Sequence, residues 1–117
     1  MVPWFERHSL PCLNGRERDG SARGRVAQRI GHEIGQRLGH TVVSLEASET
    51  LPQRLGDAQV DVVFNIAEGW GGRTREALVP ALCDMLNVPH TGSDATALSI
   101  AMDKALAKDL FLRNGVP

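Results

Sequence analysis

Apolar residues recur at two different periods along the chain, and the alternation between those periods predicts the architecture. From Ser21 onward, Val26, Ile30, Ile34 and Leu38 repeat every four residues, with Ala22 and Ala27 beside them. That spacing predicts a helix with one apolar face, and Gly39 is placed to end it in a left-handed conformation. Gly31 and Gly35 lie inside this helix, each costing about 1 kcal/mol relative to Ala; their spacing suggests either a close approach to another element or simply a weak helix. Thr41–Leu45 reads as a strand, and Glu49–Leu55 as a short helix that Pro52 forces to start late. Val60–Ile66 is β-branched and nearly continuous, which predicts the best strand of the chain. A helix over about Arg75–Leu86 follows, with Leu78, Val79, Leu82, Met85 and Leu86 inward, then a short strand over Val88–Thr91. Asp94 is placed to cap a helix over Ala95–Ala101, and Asp103 to cap another ending at Asn114-Gly115.

The first twenty residues carry no such period. Pro3, Pro11, Gly15 and Gly20 punctuate them, and Leu10–Asn14 is at best a short strand, because Pro11 removes a ladder hydrogen bond. Strands alternating with helices predict an α/β domain built on an open three-layer parallel sheet, with its first strand doubtful. In such a sheet ligands gather at the carboxyl ends of the strands. That places the Ala67–Thr74 and Thr91–Asp94 loops on one functional edge.

Composition narrows the function. At 117 residues the chain is one domain, with 42% hydrophobic and 23% charged residues, ordinary for a globular protein. The net charge of −1 provides no general attraction to nucleic acid or anionic lipid. Arg16, Arg18, Arg23, Arg25 and Arg29 form a basic cluster, but Glu17 and Asp19 interleave it and no aromatic residue is available for base stacking. No apolar run is long enough to span a membrane, and the amino end lacks a signal-peptide layout, so the expected location is cytoplasmic. Cys12 and Cys83 have no metal-ligand or redox spacing, and Cys83 is expected as a reduced core residue. His8, His32, His40 and His90 are scattered, without a paired nucleophile.

The chemistry concentrates in Ala67-Glu68-Gly69-Trp70-Gly71-Gly72-Arg73-Thr74. Its glycines let the backbone approach a ligand, and the helix that follows turns its positive end toward the same place. Arg73 and Arg75 suit a carboxylate or phosphate in a two-point fork, and Glu68 suits an ammonium group. Together they fit an amino-acid-like ligand, while spacing alone fits a solvated connector equally well. Gly69, Gly71 and Thr74 also fall near the G-x-G-x-x-G spacing of dinucleotide sites, with Asp94 twenty residues on. Against that reading, Thr replaces the last glycine and Ala67-Glu68 separates strand from turn. Lys104 stands in the first turn of its helix, where a cation is mildly disfavoured. It is either a phosphate ligand or a solvated side chain.

In order and spacing, Phe64-Asn65, Glu68-Gly69, the Met85–Ser93 turn and Met102-Asp103-Lys104 resemble the end of the N-terminal domain of the D-alanine–D-alanine ligase-like ATP-grasp family. The resemblance covers most of the chain from about Ser21 and is strongest after Asp61. It implies an enzyme that uses ATP and Mg to activate a carboxylate as an acyl phosphate, which the amine of a second amino acid attacks. It implies a substrate-binding set of Glu68, Gly69, Arg73, Arg75 and Glu17, with Lys104 approaching the ATP phosphates. No catalytic or metal-binding residue is expected within these 117 residues, because those groups belong to C-terminal ATP-grasp domains that would begin about where the chain stops. The expected domain layout is 1–20 as a poorly defined segment, 21–101 as the pre-ATP-grasp domain, and 102–117 as a helix leading onward.

Expected partners are an amino-acid substrate and those later domains, with a homodimer left open, and neither nucleic acid nor membrane. Glu68 stands where well-known members carry a His, the loop is longer than theirs, and His90 replaces their usual Tyr, so the resemblance is to a divergent branch. A stand-alone, non-catalytic small-molecule binding domain is the alternative, and a dinucleotide-binding domain ranks behind it. A further expectation is a misassigned start or shifted reading frame before about Ser21, since the family's first strand is central and this one is poor.

Overall fold

A computed structural model describes residues 9–14, 22–69 and 71–116. Its elements are β1 (Ser9–Asn14), α1 (Ala22–Arg37), β2 (Thr41–Glu46), α2 (Leu51–Ala58), β3 (Phe64–Ile66), a 3₁₀ turn at Arg75–Ala77, α3 (Leu78–Met85), α4 (Ala95–Met102) and α5 (Lys104–Arg113). The fold is mixed α/β. The strands form a parallel sheet in the order β2-β1-β3, and a parallel bridge from Val63 to His90 extends it on the far side of β3.

β1 occupies the centre of the sheet, which corrects the expectation of a doubtful first strand. It pairs with β2 along its whole length, from Ser9 with Thr41 to Asn14 with Glu46. β3 joins only from Cys12 onward. Pro11 therefore precedes the three-stranded zone, and its missing N–H does not interrupt the part of the ladder flanked on both sides. β3 is also shorter than the apolar run that predicts it. Asp61 and Val62 lead in without ladder pairing, and Val63 contributes a bridge through hydrogen bonds to Pro89 and Thr91. The strand expected at Val88–Thr91 reduces to that bridge.

Alternation along the strands assigns the two sheet faces. Val43, Leu45 and Val63 pack with Leu51, Leu55, Val60, Val79, Leu82 and Cys83 in the apolar core, so α2 and α3 cover that face. Val42 points to the opposite face, where α1 approaches. A Cβ on Gly35 would lie 2.6 Å from Val42 Cγ2, so the absence of a side chain there lets the helix come close, the first of the two readings of the glycine spacing. Gly35 is buried, whereas Val26, Ile30, Ile34 and Leu38 are 51, 50, 52 and 70% exposed. The apolar stripe that defines α1 in the sequence is thus turned to the flank of its contact with the sheet.

In α3 the expected inward set is partly corrected. Val79, Pro80, Leu82 and Cys83 are buried, while Leu78 and Met85 are exposed. α4 packs mainly on the 3₁₀ turn and on α5. Neither α4 nor α5 contains a buried residue. Among the described residues, no helix is long and apolar enough to cross a membrane.

Candidate functional site

The carboxyl end of β3 opens into the loop with the strongest chemical character, and three local devices shape its path. Asn65 Oδ1 accepts the Ala67 N–H at 3.1 Å, turning the chain as the strand ends. The Asn65 N–H donates to Thr91 Oγ1 at 3.0 Å, which fastens the Thr91–Asp94 turn to the same edge. Gly69 then takes φ +69, and a Cβ there would sit 2.0 Å from the Arg75 carbonyl oxygen. Only glycine permits this approach. It folds the Glu68–Gly69 corner back onto Arg75 and Glu76.

Glu68, Arg73 and Arg75 are exposed on this loop, yet the two arginines take different partners. Arg75 Nε lies 3.5 Å from Glu76 Oε1. Arg73 Nη2 reaches across to Asp103 Oδ2 at 2.5 Å. Burial raises the pKa of Glu76; Arg75 opposes that shift and Glu68 adds to it. Glu76, absent from the sequence-derived set, thus belongs to the charged group at this corner. The helix following the loop begins as a 3₁₀ turn without a side-chain cap, so the anion-favouring helix end expected behind the glycines is weakly developed.

The caps at Asp94 and Asp103 form as expected. Asp94 Oδ1 accepts the Ala97 N–H at 2.8 Å, and Asp103 Oδ1 accepts the Leu106 N–H at 3.2 Å. Asp103 is held below the ordinary carboxylate pKa, first by the Leu106 N–H and also by Arg73. Lys104 opens α5 beside it, exposed. The structure therefore brings Arg73 to the end of α5 where Lys104 begins. Glu17 and Trp70 lie outside the described residues. Among the described residues, no group of three or more His, Cys, Asp or Glu side chains gathers to hold a metal ion.

At the opposite edge of the sheet, Asp84, Asn87, Val88 and Pro89 line an open cleft of about 350 Å³. His90 lies beside it, mostly buried, with Nε2 3.7 Å from Asp84 Oδ1. That cleft contains no convergent cations, so the carboxyl edge is the stronger candidate. Asp103 as a partner for Arg73 was not recoverable from sequence, because thirty residues separate them and the capping pattern alone accounts for an aspartate there.

No family model matches the chain. Curated relatives do. A protein of Anaeromyxobacter sp. named D-alanine--D-alanine ligase is 33% identical over 120 residues, covering 99% of this chain and 37% of the relative. One of the same name from Oleidesulfovibrio alaskensis is 39% identical over 102 residues, covering 86% and 32%. The D-alanine--D-alanine ligase of Bacillus anthracis, solved in complex with ATP, shares the fold with a TM-score of 0.68 at 19% identity, covering 92% of this chain and 36% of that one. The chain spans about a third of the length of these relatives. Alignment with the Anaeromyxobacter relative extends over 99% of the chain, and β1 takes the central slot of the sheet. On sequence and fold together, the chain belongs to the D-alanine–D-alanine ligase-like family and corresponds to about a third of a full-length relative.

Proposed function

We propose that this domain is the N-terminal, substrate-side part of an ATP-dependent carboxylate–amine ligase of the D-alanine–D-alanine type. The observation that carries the reading is the meeting at one sheet edge of the Glu68–Arg75 loop, the Thr91–Asp94 turn and the Lys104 end of α5. In this reading α1 on one face, and α2 with α3 on the other, make the sheet the middle of an open three-layer pre-ATP-grasp domain. Residues 21–101 form that domain, and α5 leads into the ATP-grasp domains. The exposed Leu106, Phe111 and Leu112 of α5 suit a helix that packs against further protein.

Glu68 and Gly69, with Arg73, Arg75 and Glu17, shape the first amino-acid site. A carboxylate beside arginines suits the ammonium and carboxylate of such a ligand, and Lys104 approaches the ATP phosphates. The γ-phosphoryl group passes to the substrate carboxylate, releasing ADP; the amine of the second amino acid then attacks the acyl phosphate and expels inorganic phosphate. In this reading the magnesium ion that accompanies ATP is held by the later ATP-grasp domains.

The test is amino-acid-dependent phosphate release from ATP by a chain that continues into the ATP-grasp domains, screened over D-alanine and other amino acids. The 117-residue chain alone should release none. Phosphate release by this chain alone, or no release by the longer enzyme with any amino acid, would overturn the proposal.

A further inference from the structure

Asp103 divides its carboxylate between two tasks. Oδ1 caps α5 through the Leu106 N–H, and Oδ2 holds Arg73. Asn or Ser would cap the helix as well as Asp does, but neither has an anionic oxygen for a guanidinium. The loop around Arg73 has few other restraints. Gly71 and Gly72 are exposed and a Cβ on either would touch nothing within 4 Å, and the bond from the Arg75 N–H to the Gly72 carbonyl is long at 3.3 Å. Thus the middle of the loop, pinned at one end by the Gly69 corner, is held from the other side by the side chain that caps α5.

We propose that Asp103 is a positioning residue that ties the glycine-rich loop to the amino end of α5 through Arg73. The amino-acid loop and Lys104 are thereby kept in register as one unit. The assignment of ligands to the two parts rests on the ligase reading above; the tie itself does not.

The experiment uses this chain and NMR. Asp103→Asn keeps the cap and removes the anionic oxygen, Arg73→Gln removes the cation, and the double variant combines them. Each single variant should speed exchange of the Arg75 amide about two- to fivefold, the range set by exposed ion pairs. Each should also lower the heteronuclear NOE of Gly71 and Gly72. The double variant should add nothing further, and Asp103→Asn should leave the Leu106 amide unchanged. Unchanged loop amides in both single variants, additive effects, or loosening confined to the first turn of α5 would each overturn the tie. Loss of phosphate release in the longer enzyme would instead remove the ligase reading, leaving the tie as a property of the fold.

Discussion

Replacing Gly69 with Ala separates two costs that usually arrive together. At φ +69 an L-residue pays about 1–2 kcal/mol for its left-handed conformation. The new Cβ would also stand 2.0 Å from the Arg75 carbonyl oxygen and 2.5 Å from its carbon. Those are backbone atoms at the start of the 3₁₀ turn, so no rotamer change relieves the overlap. Overpacking of this kind costs typically about 1–3 kcal/mol, making the expected total about 2–5 kcal/mol. Gly71 is the internal control. It has φ +93 and open space around its missing Cβ, so Gly71→Ala should cost only the conformational part. Both substitutions restrict the unfolded chain equally, and that contribution cancels in the comparison. Urea denaturation of the two variants should therefore place Gly69→Ala about 1–3 kcal/mol below Gly71→Ala. Midpoints that coincide would show that the Glu68–Gly69 corner does not lie against Arg75, and the site geometry built on it would fall.

Three other outcomes follow from the packing and electrostatics. Leu55, almost fully buried in the core, should cost about 2–5 kcal/mol when cut to Ala, read from the urea midpoint at unchanged slope. Cys83 is buried and its thiol is pushed up to about 11, so iodoacetamide at pH 8 should leave it unmodified in the native protein and label it readily in urea. Burial raises the pKa of Glu76 above its ordinary 4.5, so the folded protein binds this proton more tightly than the unfolded chain. That contribution is fully present below pH 4.5 and is lost as pH rises through the raised value. Glu76→Gln should accordingly be worth most near neutrality, and a stability difference from wild type that stays flat between pH 4 and 7 would contradict the assignment.

Local hydrogen-bonding signals were the most legible part of the fold. Asp94 and Asp103 cap because an aspartate one residue before a helix needs only its own next turn to do so, and Gly39 ends α1 for an equally local reason. What escaped depended on partners distant in sequence. The four-residue apolar period locates α1 but not its orientation, since the close approach to Val42 is made by Gly35, which has no side chain to register in such a pattern. Pro11 counts against β1 in the sequence, because the sequence does not show where β3 begins to pair. In the site, Glu68, Arg73 and Arg75 were legible as charges beside glycines. The pairing of Arg73 with Asp103 and the inclusion of Glu76 needed the folded chain to bring them together.

The strand order has a consequence for how the protein is made. Among the described strands, the earliest in the chain is the one at the centre of the sheet, and Cys12 cannot pair with Phe64 until α1, β2 and α2 have been synthesised. The face that those strands share is sealed by Leu82 and Cys83, which come later still. Throughout that interval β1 carries an unpaired edge, and the nascent chain must be shielded from neighbours that could pair with it.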